Sequence, residues 1–205
     1  MSAAPRAADA APALGDPLDA GFFARPVAEV APDLVGCSLL VGGAGGTIVE
    51  VERYQQDDPA SHSFRGAVGR AAVMFGEPGR LYVYRSYGLH WCLNVVCEPE
   101  GRGAAILVRA LAPTHGLDVM RARRAGVADR LLCAGPGRLC AALGVDGRLD
   151  GAAAVGPGAA AWVGARTGPV EIATGPRIGI TKAEERSWRY GLAGSRHLSR
   201  PFPRT

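Results

Sequence analysis

The chain has 205 residues, of which 48% are hydrophobic and 20% charged, and its formal net charge is +4. This composition is ordinary for one globular domain. It excludes a wholly disordered chain and supplies enough apolar residues for a core. Lys182 is the only lysine, so arginines carry nearly all of the positive charge. This excess of arginine indicates either a polyanionic partner or a biased gene composition, and both explanations remain open.

The cysteines and the N-terminus indicate where the protein works. The five cysteines are odd in number and show neither a CxxC pair nor the Cys/His spacing of a zinc site. We therefore expect reduced core thiols in a cytoplasmic protein without a bound metal. Residues 1–16 are rich in alanine and proline but lack the apolar segment of a signal peptide. We predict a disordered tail there, followed by a single domain over residues 17–205.

The first elements are a short helix and a glycine-linked strand pair. Residues 18–36 predict a loop and then a helix, with Pro26 suited to its first turn. Residues 37–41 and 47–54 predict two strands, and the glycine-rich residues 42–46 between them have the composition of a hairpin turn. This run lacks the GxxxxGK[ST] lysine and a following helical pattern, which disfavours a phosphate-binding loop.

The middle of the chain predicts an antiparallel meander. Residues 55–78 read as mainly loop. Residues 81–86, 89–96 and 104–110 predict three consecutive strands, and short glycine-containing links join them. Such tight links favour antiparallel neighbours over parallel crossovers.

The C-terminal third mixes helices, loop and short strands. Residues 115–125 and 136–143 predict helices, the second with proline in its first turn. Residues 146–168 are poor in aromatics and predict a loosely ordered surface excursion around a short strand at 160–163. The late strands are predicted at 170–173, 177–180 and 187–191. Together these elements predict an α+β domain with a curved, mainly antiparallel sheet and peripheral helices.

The strand that ends at Tyr54 is the first candidate for chemistry. Side-chain alternation puts Glu50, Glu52 and Tyr54 on one face, and an acidic loop then leads to His62. A solvated edge strand is the ordinary explanation of such a pattern, since exposed carboxylates are common and perturbed ones are not.

Two polar residues interrupt apolar runs. Arg109 nearly ends the run 106–110, where a charge needs an exposed edge or an acidic partner, and Glu52 is a candidate partner. Asn94 lies inside the run 91–97, where its amide must be hydrogen-bonded or face a cavity. A satisfied core asparagine and a pocket residue both remain open.

The tyrosines around residue 85 have different explanations. Tyr82 and Tyr84 share one face of their strand, where cross-strand packing is the ordinary role. Tyr87 sits in a turn with Gly88 and close to Arg85, where it has little core to fill. A protruding aromatic beside a cation suits stacking into nucleic acid.

Six segments carry a resemblance to a known family. They read IVEVERY, ASHSFRG, VMFGEPGRLYVYRSYGLHWCLNVV, AAILVRALAP, LCAGPGRLCAALG and PRIGI. In this order and spacing they resemble the alkyladenine (3-methyladenine, or methylpurine) DNA glycosylase family, over residues 22 to 199. The resemblance implies a monomeric enzyme without metal or cofactor. Such an enzyme flips a damaged purine out of double-stranded DNA and hydrolyses its N-glycosidic bond.

The resemblance also implies roles for individual residues. Glu52 is the carboxylate that activates the attacking water, Arg109 helps to hold that water, and the backbone near Ile180 is a third contact. The remaining implied contacts are the stacking pocket (Tyr54, His62, Tyr84), the residue that rejects normal purines (Asn94), the wedge (Tyr87) and the DNA-contacting arginines (Arg65, Arg70, Arg85). Glu50, Asp57 and Asp58 receive no role, and we expect them to stay solvated.

General chemistry agrees with these roles. A purine alkylated at N3 or N7 is cationic and already a good leaving group, so one carboxylate can both activate water and stabilise the sugar cation. An aromatic pocket favours a cationic ring by roughly 0.5 to 2 kcal/mol. Strand-cutting glycosylases need an amine for a Schiff base, and a single lysine favours a monofunctional enzyme.

One loop departs from the family pattern. Residues 68–71 read VGRA where the family usually carries Thr-Pro-Arg-Asn, so only Arg70 is kept. A second function therefore remains open, a catalytically weak DNA-binding protein that recognises damage on the same scaffold.

Overall fold

The computed structural model describes residues 13–203, which form an eight-stranded sheet with helices along its margin. The α-helices are α1 (Ala20–Phe23), α2 (Val27–Leu34), α3 (Leu117–Arg123) and α4 (Pro136–Leu143). The strands are β1 (Ser38–Val41), β2 (Ala44–Tyr54), β3 (Leu81–Ser86), β4 (His90–Val96), β5 (Ala105–His115), β6 (Ala161–Gly164), β7 (Ile172–Gly175) and β8 (Arg189–Leu192). Short 3-10 helices occur at His62–Arg65, Gly69–Phe75, Asp129–Leu131 and Gly147–Leu149.

The sheet is antiparallel at every strand pair of the described chain, in the order β3-β4-β5-β2-β1-β6. The long strand β2 lies at its centre. One edge of β2 pairs with β5, and its other edge pairs first with β1 and then with β8, which also carries β7. The predicted α+β class with a curved, mainly antiparallel sheet is confirmed.

The glycines near residue 44 divide between a turn and a strand. Gly42 and Gly43 have φ of 57° and 78° and form a two-residue hairpin turn between β1 and β2. Gly45 and Gly46 belong to β2, and a Cβ there would lie 1.9 Å and 2.0 Å from backbone oxygens of the neighbouring strands. The predicted turn over residues 42–46 is thus too long, because Gly45 and Gly46 belong to a strand and allow its neighbours to approach closely.

The ladder between β2 and β5 contains two bulges near its middle. On β2 the extra residue is Val49, and on β5 it is Arg109. A bulge raises the local twist and redirects the side chains beside it. Both bulges flank Glu50, so the most irregular part of the sheet lies where β2 carries its carboxylates.

The core fills the space between the sheet and the helices α2 and α4. Phe23, Leu34, Leu39, Ile106 and Leu111 are fully buried, and each such side chain stabilises the fold by roughly 1.5 to 3 kcal/mol. All five cysteines are buried and free, which places the thiols in the core as expected.

The segment predicted as a loose excursion is fixed to the sheet, so that prediction is wrong. Leu81 N donates to Ala152 O at 2.8 Å, and Asp150 Oδ1 accepts from Val83 N at 2.8 Å. Ala154 is fully buried. Gly151 N also donates to Leu81 O and Ala154 N to Gly79 O, each at 2.8 Å, so the backbone of this segment is hydrogen-bonded at the edge of β3.

Other boundaries also differ from prediction. The predicted strand at 177–180 is a bend with Gly179 at φ 77°. The predicted helix at 115–125 starts at Leu117 because β5 continues to His115. The predicted loop 55–78 contains two of the 3-10 helices.

The described chain begins close to the sheet. Asp16 O accepts a hydrogen bond from Ala165 N at 2.7 Å, and Pro17 forms a bridge with Gly164. Most of the predicted tail, residues 1–12, lies outside the described residues. Between residues 13 and 203, no helix is long and apolar enough to cross a membrane.

Candidate active site

A cleft of about 860 Å³ opens beside the C-terminal end of β2. Its walls come from the 3-10 segments after β2, the β3–β4 hairpin and the start of α4. Residues 178–182 and 199–200 close the remaining sides. Residues far apart in sequence therefore meet at one concavity, as expected of a small-molecule or base pocket.

Glu52 lies directly behind the wall of this cleft and is fully buried. Its Oε2 accepts hydrogen bonds from Tyr54 Oη at 2.9 Å and from Arg109 Nη1 at 3.2 Å, and its Oε1 accepts from Ile178 N at 2.7 Å. Tyr54, Arg109 and Ile178 themselves line the cleft. The structure thus brings Glu52 and Arg109 together as an ion pair, and every donor points at the carboxylate oxygens, as an ionised group requires.

Glu50 forms the other half of a buried ionic cluster. It is fully buried, and its Oε1 lies 3.2 Å from Arg109 Nε, 3.1 Å from Arg189 Nε and 2.8 Å from Ser199 Oγ. The expectation that Glu50 is solvated is wrong, because β8 pairs over this part of β2. Two carboxylates face two guanidinium groups, so the cluster balances its own charge.

The neighbouring carboxylates act on the pKa of Arg109. Burial alone lowers it, but the negative charges of Glu52 and Glu50 more than offset this, and the pKa of Arg109 is raised above its ordinary value. Arg109 therefore stays charged and can act as a fixed donor.

Asp58 is also buried, contrary to the expectation for it, whereas Asp57 is exposed as expected. Asp58 binds Arg177 through both oxygens, with Arg177 Nη2 at 3.0 Å from Oδ1, and neither side chain is exposed. Arg177 Nη1 also donates to Arg53 O at 3.2 Å, and its guanidinium lies 4.6 Å from the centre of the Tyr54 ring. This pair ties the loop before Ile178 to the end of β2.

Aromatic rings form one wall of the cleft. Tyr82 and Tyr84 stack with ring centroids 5.2 Å apart, and His62 meets Tyr84 edge to face at 4.6 Å. Burial raises the pKa of Tyr84 well above its ordinary value, and burial followed by Glu52 does the same for Tyr54. Both phenols therefore remain protonated at neutral pH.

His62 is held between two polar partners. Its Nδ1 lies 2.8 Å from Tyr82 Oη and its Nε2 lies 3.3 Å from Arg70 Nη2. Arginine can only donate, so Nε2 accepts and Nδ1 carries the proton. Burial first, and the charge of Arg70 second, lower the pKa of His62 below its ordinary value of 6.5. The loop that departs from the family pattern thus supplies a cation beside the pocket histidine.

Asn94 fits both interpretations that its sequence context left open. Its Nδ2 donates to Tyr82 O at 2.9 Å, and the side chain is 4% exposed while it lines the cleft. Ile180 also lines the cleft. The hydrogen bond from that segment to Glu52 comes, however, from Ile178, because the bend at Gly179 turns the chain between them.

The tip of the β3–β4 hairpin projects Tyr87 into solvent. The side chain is 86% exposed, and its φ of 48° is unusual for a non-glycine residue. Such a backbone costs of order 1 kcal/mol and concentrates at functional positions. Arg85 and Arg70 line the cleft near this tip, whereas Arg65 lies outside it.

Sequence reasoning missed several residues at the site. They are Glu50, Asp58, Arg177, Ile178, Arg189 and Ser199 in the buried clusters and Arg138, Lys182 and Arg200 on the cleft wall. A charged residue in a short loop looks solvated until its partner is known, and these partners come from distant elements. Within residues 13–203, no group of three or more His, Cys, Asp or Glu residues is arranged to hold a metal ion.

Comparison with known proteins gives a match over most of the chain. The family model described as methylpurine-DNA glycosylase matches residues 21–196. A relative from Rhodopseudomonas palustris (strain HaA2) is 57% identical over 190 residues, which cover 93% of this chain and 94% of the relative. A relative from Bradyrhizobium diazoefficiens is 53% identical over 201 residues, covering 98% and 100%. Both relatives carry the name "Putative 3-methyladenine DNA glycosylase".

Proposed function

Because the chain belongs to the methylpurine-DNA glycosylase family, we propose that it releases alkylated or deaminated purines from duplex DNA. The substrate class is that of 3-methyladenine, 7-methylguanine and hypoxanthine. Hydrolysis of the N-glycosidic bond leaves an abasic site. The observation that carries the proposal is the buried carboxylate of Glu52, held by Arg109, Tyr54 and Ile178 at the wall of the cleft.

Glu52 is the proposed general base. A carboxylate offers about four acceptor positions, and protein donors use three of those of Glu52. One acceptor position therefore remains for a hydrogen bond from a water at the cleft, and the carboxylate can take the proton of that water. The same negative charge stabilises the oxocarbenium-like sugar as the base departs, while Arg109 fixes the carboxylate and supplies a donor for the water.

The aromatic wall is the proposed site of the flipped base. Tyr54, Tyr84 and His62 offer ring faces and edges, and an electron-poor alkylated purine gains roughly 0.5 to 2 kcal/mol from such contacts. Asn94 lines the same cleft and is held by Tyr82 O. We propose that this fixed side chain crowds the exocyclic amino group of guanine and so disfavours normal purines.

The hairpin tip and the arginines around the cleft are the proposed DNA contacts. Tyr87 is shaped to fill the gap that a flipped nucleotide leaves, and Arg70 and Arg85 lie within reach of the flanking backbone. Arg65 lies outside the cleft and is the proposed peripheral phosphate contact. Binding through these cations should weaken as salt concentration rises.

We also propose that the enzyme is monofunctional and acts as a cytoplasmic monomer. Lys182 is the one amine of the described side chains, and it lines the cleft. Borohydride trapping on lesion DNA tests this point directly, because a Schiff base would leave a covalent complex with wild type and none with Lys182→Ala. No trapped complex is expected with either protein.

A panel of duplexes with one labelled lesion each tests the function. Wild type should convert 3-methyladenine or hypoxanthine duplexes to abasic product, and Glu52→Gln should lose this activity. Asp57→Asn is the matched control, since it removes an exposed carboxylate from the adjoining loop. Equal activity of wild type and Glu52→Gln would remove Glu52 from the mechanism.

The same panel separates the second candidate function. A damage-recognising protein with weak catalysis would bind lesion duplexes without releasing a base. The buried pair of Glu52 and Arg109 argues against it, because a carboxylate near phosphate lowers DNA affinity and serves no purpose in binding alone.

A further inference from the structure

Residues 198–202 lie beyond residue 196, where the match to the family model ends, and two of them, Ser199 and Arg200, line the cleft. Arg189 Nη2 donates to the carbonyls of Arg200 at 2.8 Å and Pro201 at 3.1 Å. The Arg189 guanidinium also lies 3.8 Å from the centre of the Phe202 ring. One buried arginine of β8 therefore holds three successive residues of the segment.

The ring of Phe202 packs against two glycines of the β7–β8 pair. A Cβ added at Gly191 would come within 2.4 Å of the Phe202 ring, and one at Gly175 within 3.0 Å. The ring thus lies against bare backbone at two glycines. This packing, together with the Arg189 contacts, fixes the position of Ser199.

Ser199 joins the two sides of the buried ionic cluster. Its Oγ donates to Glu50 Oε1 at 2.8 Å, and its backbone N donates to Glu50 Oε2. The same Oγ accepts from Arg109 Nε and Nη2, each at 3.4 Å. Ser199 also lines the cleft, so it stands where the guanidinium of Arg109 meets the pocket.

The guanidinium of Arg109 is held at three points. Nε binds Glu50 and Nη1 binds Glu52, each at 3.2 Å. The described residues give Nη2 a single partner, Ser199 Oγ. A planar guanidinium needs contacts at its corners to fix its rotation about the side chain, and the serine supplies the last of them.

We propose that Ser199 is a positioning residue for Arg109, delivered to the active site by the segment 198–202. By occupying Nη2 and part of Glu50, it keeps Nη1 directed at Glu52. Loss of the hydroxyl frees the guanidinium to turn toward Glu50 and away from the catalytic carboxylate. This inference rests on the proposed glycosylase activity for its kinetic consequence but not for its geometry.

The kinetic test compares Ser199→Ala with Ser199→Thr in single-turnover excision from a lesion duplex. Ser199→Ala should slow the rate constant roughly 10- to 150-fold, the effect of one hydrogen bond to a charged group. The half-saturating enzyme concentration and the reaction amplitude should stay within about twofold of wild type. Ser199→Thr keeps the hydroxyl and should recover most of the rate. A Ser199→Ala rate within twofold of wild type would overturn the proposal.

The packing of Phe202 on Gly191 allows a second, independent way to displace Ser199. Gly191→Ala forces the ring away and should slow the reaction as Ser199→Ala does, although it changes no cluster residue. Gly168→Ala is the control, since a Cβ there meets nothing within 4 Å. A wild-type rate in Gly191→Ala would show that the segment does not place Ser199.

A measurement that does not depend on enzyme activity separates this inference from the proposed function. In ¹⁵N spectra of arginine side chains, the Nη protons of Arg109, assigned by their loss in Arg109→Lys, should exchange slowly in wild type and faster in Ser199→Ala. If wild type released no base, the proposed function would fail while this comparison still decided the contact. Unchanged Nη exchange in Ser199→Ala would refute the inference.

Discussion

Replacing the buried Asp58 by Asn should destabilise the protein far more than removing an exposed carboxylate of the same loop. The change keeps the side-chain volume but leaves Arg177, which is fully buried, without its carboxylate partner. Breaking one side of a buried ion pair costs about 3 to 5 kcal/mol, because the remaining charge is neither solvated nor paired. For a chain of this length, that corresponds to a fall in Tm of roughly 6 to 20 °C.

The assay is urea denaturation followed by circular dichroism, with calorimetry for Tm. Asp57→Asn is the control, since it lies one residue away, is exposed, and should stay within about 0.5 kcal/mol of wild type. The double variant Asp58→Leu with Arg177→Met removes both charges and should recover a large part of the lost stability. An Asp58→Asn variant within about 1 kcal/mol of wild type would refute the argument.

Asp58→Asn should also slow the proposed reaction. Arg177 immediately precedes Ile178, whose N–H donates to Glu52 at 2.7 Å, and it packs on the ring of Tyr54. An Arg177 that shifts toward water would loosen both contacts. We therefore expect the single-turnover rate of folded Asp58→Asn to fall together with its stability.

Three other predictions concern separate parts of the molecule. Tyr87→Ala should weaken lesion-duplex binding by roughly 5- to 150-fold in fluorescence anisotropy. Tm should not change, because the ring is 86% exposed. Equal affinity of variant and wild type would exclude a role for Tyr87 as the wedge. The pKa of His62 is lowered by burial and then by Arg70, so the unfolded chain binds more protons below about pH 6.5 and stability should fall as pH drops toward 5. His62→Gln should flatten that dependence in urea titrations, and an unchanged slope would contradict it. Gly46→Ala should cost at least about 2 kcal/mol in the same titrations, since its Cβ would lie 2.0 Å from a backbone oxygen; a loss near zero would contradict it.

Local patterns were sufficient for most of the fold. Short glycine links and alternating apolar residues predicted the meander of β3, β4 and β5, and Pro136 marked the start of α4 at the correct residue. The errors share one physical cause. Glycine and alanine segments look like turns or loose loops in sequence. Here Gly45 and Gly46 allow close contact between strands, and residues 151–154 hydrogen-bond through their backbone at the edge of β3.

The candidate site was only half visible for a similar reason. Arg109 in an apolar run needs an exposed edge or an acidic partner, and Glu52 was the candidate partner without any tertiary information. Nothing local distinguishes Glu50 or Asp58 from solvated carboxylates. Their burial depends on Arg189 and Arg177, which are more than a hundred residues away in sequence.

The paired bulges of β2 and β5 have a consequence for how this site tolerates change. The extra residue Val49 on one strand is offset by the extra residue Arg109 on the other, so the pairing register is the same on both sides of the distortion. The two register shifts therefore cancel within a few residues, beside the ionic cluster. Deleting Val49 alone would uncouple the two bulges and shift every pair on one side by one residue, turning apolar side chains outward. The lengths of the two strands at this point can therefore change only together.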